Sequence, residues 1–124
     1  MARILLAEDE EALRAFIVRA LNQEGHEVVA AADGAEALDA LTRDKGAFDL
    51  LLTDIRMPIM DGIALALAAA RDHPDLTILL MTGYADQRER AHGLDALIHD
   101  VISKPFSLAD IKSAVAEALA ARTR

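Results

Sequence analysis

Several residues in this chain that can do chemistry stand directly after short apolar runs. Glu8 and Asp9 follow Ile4-Leu5-Leu6-Ala7, and Asp54 follows Leu50-Leu51-Leu52-Thr53. Thr82 follows Ile78-Leu79-Leu80-Met81, and Lys104 follows Val101-Ile102-Ser103. If the runs are neighbouring strands of one sheet, Glu8, Asp9 and Asp54 share a pocket. Their charges then repel, and each raises the pKa of the others unless a cation intervenes. A set of oxygen ligands without His or Cys selects a hard ion, Mg2+ over Zn2+. Mg2+ held by few carboxylates keeps several waters, so a position stays open for a phosphate oxygen.

Roles follow from residue type. Asp54 is the candidate nucleophile, since a carboxylate can attack phosphorus and form an aspartyl phosphate. Glu8 and Asp9 hold the metal that offsets the phosphoryl charge. Lys104 pairs with Asp54 before transfer and with the phosphate afterwards, and Thr82 offers a hydroxyl to a phosphoryl oxygen. A cis peptide at Lys104-Pro105 would aim the ammonium inward. Taken singly, each residue has an ordinary explanation. Glu8 to Glu11 suit the positive start of a helix, Asp54 suits a loop, Lys104 a solvated surface and Thr82-Gly83 a turn. Their joint placement after four different apolar runs argues for a site.

The elements that would carry them alternate. Arg3 to Ala7, Glu27 to Ala31, Leu50 to Thr53, Thr77 to Met81 and Val101 to Ser103 read as strands. Leu13, Phe16, Ile17, Ala20 and Leu21 follow helical spacing up to Gly25. Asp33-Gly34 reads as a turn before a short helix marked by Ala37, Leu38 and Leu41. Asp61-Gly62 caps a helix running to about Asp72, ahead of Pro74. Asp86 to Leu94 reads as a helix with a weak apolar face. Leu108, Ile111, Val115 and Leu119 mark the last helix. Strands that are apolar throughout and separated by helices imply an α/β fold, a doubly wound five-stranded parallel sheet covered on both faces. In the flavodoxin-like order 2-1-3-4-5, strands one and three are neighbours, and ligands bind outside the carboxyl ends of the strands.

Composition narrows the function classes. The 124 residues are 53% hydrophobic, 27% charged and 3% aromatic, which fits one globular domain with an aliphatic core. Residues 1–124 are expected to form a single domain with no output domain. A formal charge of −8 disfavours nucleic acid as a ligand. There is no cysteine, which excludes disulfides and thiolate chemistry. The apolar run at the start is too short for a signal peptide and no stretch reaches transmembrane length, so a cytoplasmic location without membrane contact is expected. His26, His73, His92 and His99 show no metal-ligand spacing.

The segments Ile4-Leu5-Leu6-Ala7-Glu8-Asp9, Asp54-Ile55-Arg56-Met57-Pro58-Ile59-Met60-Asp61-Gly62, Met81-Thr82-Gly83 and Ser103-Lys104-Pro105-Phe106 closely resemble the receiver domain of two-component response regulators. The resemblance covers about Arg3 to Ala120. It implies a (βα)5 receiver with Asp54 as phosphoacceptor. Glu8 and Asp9 are then the acidic pair, and Thr82 and Lys104 the switch residues. The metal set it implies is Glu8, Asp9, Asp54 and the backbone carbonyl of Arg56. It also implies a histidine kinase or histidine phosphotransfer protein as donor. Catalysis would be limited to autocatalysed phosphoryl acceptance and slow self-dephosphorylation. Many receivers carry Tyr or Phe three residues before the lysine, where this chain has Val101. Tyr84, the only tyrosine, is the other candidate reporter of phosphorylation, and Pro105 completes the switch set.

Leu80 to Ala91 and Asp100 to Phe106 carry a narrower resemblance, to stand-alone receivers that act as adaptors of the ClpXP protease in cell-cycle control. That implies ClpX as downstream partner. The expected partner face runs over Asp86 to Leu94, the fifth strand and the last helix, with Arg88 and Arg90 on it. A monomer or a weak homodimer through that face is expected. Three other functions compete. An aspartyl-phosphate phosphatase of the haloacid-dehalogenase type needs a second Asp at the position of Arg56. A flavin or nucleotide carrier needs a phosphate-cradling loop where Glu8-Asp9-Glu10-Glu11 stands. A constitutive interaction module would leave the pocket unused.

Overall fold

The computed structural model describes residues 2–44, 47–83, 89–91 and 93–121. Strands β1 (Arg3–Ala7), β2 (Glu27–Ala31), β3 (Leu50–Asp54), β4 (Thr77–Thr82) and β5 (Asp100–Ser103) form one parallel sheet of order β2-β1-β3-β4-β5. Helices α1 (Glu11–Gln23), α2 (Gly34–Arg43), α3 (Gly62–Asp72) and α4 (Leu108–Ala121) cover it. The fold class and strand order are those expected from the sequence.

Side chains alternate across a strand, so a sheet covered on both faces needs apolar residues at every strand position. Leu5, Leu51, Ile78 and Leu80 point into a core shared with α2 and α3. Ile4, Leu6, Leu50, Leu52, Leu79 and Met81 point into the opposite core, against Ile17 and Leu21 of α1 and Ile111 and Val115 of α4. Each such side chain contributes about 1.5–3 kcal/mol on burial, which makes the register costly to shift. A slip of one residue would exchange the two faces.

The sequence reading differs from the structure at three borders. β3 and β4 each run one residue further than expected, through Asp54 and Thr82, and β5 begins one residue earlier, at Asp100. Asp33-Gly34 is a helix start rather than a free turn. Asp33 is the N-cap of α2, and its carboxylate accepts the Glu36 N–H at 2.8 Å. Gly34 is the first residue of that helix, and its N–H donates to the Met60 carbonyl at 3.2 Å. A Cβ at Gly34 would overlap that carbonyl. The helix expected over Asp86 to Leu94 falls partly outside the described residues. Residues 89–91 are helical, and Ala91 and Leu94 are buried.

Asp61 is the N-cap of α3, as expected, and accepts the Ala64 N–H at 2.9 Å. Its second oxygen takes Arg90 Nη2 at 3.1 Å. Removing an N-cap side chain costs roughly 1 kcal/mol, whereas asparagine caps as well as aspartate. Asp61→Ala is therefore expected to lower stability to chemical denaturation by about 1 kcal/mol. Asp61→Asn keeps the cap, loses only a half-exposed ion pair, and should stay within about 0.5 kcal/mol of wild type.

Candidate functional site

Register assembles the site. Ala7 pairs with Thr53 and Asp54 with Met81, so the residue that follows β1, Glu8, lies beside the last residue of β3. Thr82 pairs with Ser103, and the Lys104 N–H donates to the Thr82 carbonyl at 2.8 Å. These strand ends open on a cavity of about 820 Å3 lined by Glu8, Asp9, Glu10, Leu13, Asp54, Arg56, Gly83, Lys104, Pro105 and Phe106. The Lys104–Pro105 peptide is cis.

Within the cavity the Lys104 ammonium lies 3.0 Å from Glu8 Oε1 and 3.2 Å from Asp54 Oδ2. Glu8 is 1% exposed and Asp54 6%, whereas Asp9 is exposed. One carboxylate oxygen from each of Glu8, Asp9 and Asp54 lies within 4.8 Å of the other two. Burial pushes the Asp54 carboxyl above its ordinary pKa, and the charge of Asp9 adds to the rise against the pull of Lys104. Burial also raises Glu8, helped by the charge of Asp54 and opposed by the Glu10 N–H and Lys104. For Lys104, burial works against the charged form, but the hydrogen bond to Glu8 and the charges of Asp54 and Glu8 outweigh it and hold the pKa above its ordinary value. One ammonium thus offsets two buried carboxylates, and the pocket as a whole favours added positive charge.

Its donors are all oxygen, they converge within one ion's reach, and one is solvent-facing. That set fits a hard divalent cation that keeps some of its water. Receiver domains bind Mg2+ at such an acidic pocket.

The sequence-derived candidates separate into two faces. Glu8, Asp54 and Lys104 continue the alternation of Leu6, Leu52 and Ile102, toward α1 and α4. Thr82 continues the alternation of Ile78 and Leu80, toward α3, and Val101 packs against that same core. Thr82 is buried, and the next residue, Gly83, lines the cavity. The position where receivers often carry an aromatic ring thus shares a face with the hydroxyl rather than with the carboxylates. Arg90 pairs with Asp61, while Tyr84 and Arg88 lie outside the described residues.

Other contributors are invisible to motif reasoning. The Glu10 N–H donates to Glu8 Oε2 at 3.0 Å and Arg14 Nη1 to the Glu8 carbonyl at 2.9 Å, so the start of α1 fixes Glu8. The loop after Asp54 is pinned by Ile55 N–H to Met81 carbonyl at 3.0 Å and Gly62 N–H to Ile55 carbonyl at 2.7 Å. Met57 is buried in the core against α2 and α3, and Met60 packs on it. Between them Ile59 has φ 70°, and the Met60 N–H donates to the Pro58 carbonyl at 2.8 Å. That is a γ-turn of the left-handed kind, the rarer and strained of the two. For an L-residue the left-handed region costs about 1–2 kcal/mol.

Comparison with known proteins gives the same picture. The model of the response regulator receiver domain matches residues 4–116. The chain is 42% identical over 121 residues to the response regulator receiver protein CpdR of Brucella abortus, covering 98% of this chain and 99% of that one. It is 40% identical over 119 residues to part of the sensor kinase CckA of Brucella abortus, a match covering 95% of this chain and 12% of the kinase. The crystal structure of the response regulator TrrA from Thermotoga maritima with Mg2+ and BeF superposes with a TM-score of 0.83 at 30% identity, covering 95% of this chain and 99% of that one. The buried carboxylate beside a lysine at the strand ends, the strand order and the match across nearly the whole chain agree: this chain belongs to the receiver domain family of two-component response regulators.

Proposed function

We propose that this chain is a response regulator receiver in which Asp54 accepts a phosphoryl group from the phosphohistidine of a kinase or phosphotransfer protein. The supporting observation is the Asp54 carboxylate, buried and 3.2 Å from the Lys104 ammonium at the edge of an acidic cavity. An Asp54 carboxylate oxygen attacks phosphorus, the phosphorus–nitrogen bond of the donor breaks, and the imidazole leaves with the electron pair. Lys104 transfers its hydrogen bond from Asp54 to a phosphoryl oxygen, and Glu8, which holds it from the other side, keeps it in reach. Glu8, Asp9, Asp54 and the Arg56 carbonyl would hold Mg2+, which when bound supplies positive charge against the phosphoryl oxygens. The chain turns over no separate substrate in this reading; its catalysis ends with loss of its own phosphoryl group.

Output then passes to a protein partner. Thr82 and Val101 share the α3 face of the sheet, so a hydroxyl drawn toward the phosphoryl group would leave space beside Val101, with Lys104-Pro105 and Tyr84 completing the switch. Of the two arginines expected on the partner face, Arg90 is half-exposed and paired with Asp61, and Arg88 lies outside the described residues. The likeness to CpdR supports an adaptor that primes the ClpXP protease, with ClpX as partner, and a cytoplasmic setting.

The phosphoryl mimic beryllofluoride tests the site without a donor. With Mg2+ it should raise the melting temperature of wild type, and neither component alone should do as much. At a hundredfold excess over Kd the gain is about 2.7 kcal/mol. Asp54→Ala should show none of the joint effect. An equal gain in the variant would place the mimic elsewhere and count against Asp54.

A further inference from the structure

Ile59 is 84% exposed, the most exposed large apolar side chain among the described residues. It is also β-branched and holds φ 70°, a combination that is a genuine outlier. Nothing in the fold uses the side chain: the turn is closed by backbone, and the core contacts of the loop belong to Met57 and Met60. A glycine would make the same turn without strain. Strain that persists where the surrounding structure enforces it is a pointer to function.

Its position says what it would touch. Ile59 is displayed on the loop that follows Asp54, whose Arg56 lines the cavity with Asp54, and that loop is pinned at both ends, so the side chain is presented without further ordering. A protein delivering a phosphoryl group to Asp54 must close over this edge. An exposed apolar side chain on the loop that leads away from a charged cavity has the composition of an interface anchor within a polar rim. The geometry points to Ile59 as an apolar docking contact for the phosphodonor protein, presented at the expense of backbone strain. The contact rests on the phosphoacceptor reading above and adds a determinant of donor recognition to it. Its recognition chemistry is an apolar patch next to the phosphohistidine of the donor.

The test compares two donors on wild type, Ile59→Gly, Ile59→Asn and Ile59→Val. One is acetyl phosphate. The other is the autophosphorylated sensor kinase CckA of Brucella abortus with its own phosphoacceptor aspartate replaced. Acetyl phosphate should label all four proteins at rates within about twofold. Transfer from the kinase should fall about tenfold or more in Ile59→Gly and Ile59→Asn, the loss expected of an interface anchor, and recover in Ile59→Val. Ile59→Gly should melt no lower than wild type, since its left-handed φ is relieved. Equal kinase transfer to all four would overturn the contact, as would failure of the kinase to label wild type that acetyl phosphate labels. A parallel loss with acetyl phosphate would show that Ile59 shapes the pocket instead. Failure of both donors on wild type would strike the phosphoacceptor reading itself.

Discussion

Lys104→Met should destabilise the metal-free protein by about 3 kcal/mol at neutral pH, and the deficit should shrink on acidification. Breaking a buried ion pair by removing one partner costs about 3–5 kcal/mol. The lower end applies because the Lys104 side chain keeps 22% exposure and some solvent screening. Without the ammonium, Glu8 and Asp54 face each other with Asp9 close by. Both carboxyls already titrate above their ordinary values because they are buried, and loss of Lys104 drives them higher. A carboxyl whose folded pKa is raised favours the folded state below its unfolded pKa, about 4. That advantage disappears as pH rises through the folded pKa. The variant should therefore approach wild-type stability near the ordinary carboxylate range and lose ground steadily above it. Urea denaturation of both proteins across that range reads the difference. Added Mg2+ should narrow the gap at neutral pH, because a cation replaces the one removed. A deficit independent of pH would mean that Lys104 acts by packing alone.

Gly62→Ala should destabilise by about 3 kcal/mol, against the trend for its position. Near the start of a helix, alanine in place of glycine ordinarily gains up to about 1 kcal/mol. Here a Cβ would overlap the carbonyl of Asp54 and crowd the Ile55 Cα, both of them backbone. Overpacking that backbone must yield to typically costs about 1–3 kcal/mol, and the Gly62 N–H to Ile55 carbonyl bond of 2.7 Å would stretch with it. The shift falls on the phosphoacceptor itself, so labelling by acetyl phosphate should slow more than tenfold, the effect of misplacing a reacting group by an ångström. Denaturation and labelling of the same preparation separate the two effects. A stabilised variant with normal labelling would show that α3 tolerates displacement from the end of β3.

Much of this architecture can be read in advance because burial on both faces forces apolar residues at successive strand positions. Leu50-Leu51-Leu52 can serve two cores only if its side chains alternate, and they do. The acidic cluster is equally legible, since carboxylates at strand ends converge whenever strands one and three are neighbours. Contacts between backbone atoms distant in sequence are not. Gly34 looks like half of a turn until the Met60 carbonyl, brought up by the loop after β3, is seen against it. Arg14 looks like a solvent-facing helix residue, yet its guanidinium holds the Glu8 carbonyl. Thr82 reads as one more strand-end residue, and its near-complete burial at the end of β4 is not visible in the motif. Ile59 is the furthest from expectation, because a β-branched side chain argues against the left-handed turn it occupies. Its conformation is imposed by Pro58, by Met57 and Met60 in the core and by the pinned ends of the loop.

Intact-protein mass spectrometry after incubation with acetyl phosphate, with and without Mg2+, on wild type and Asp54→Ala, bears most directly on the central claim. One Mg2+-dependent, base-labile phosphoryl group on wild type and none on Asp54→Ala is the expected result. A phosphoryl group that persists in Asp54→Ala, or wild type that stays unmodified beside a control receiver that is labelled, would contradict Asp54 as the phosphoacceptor.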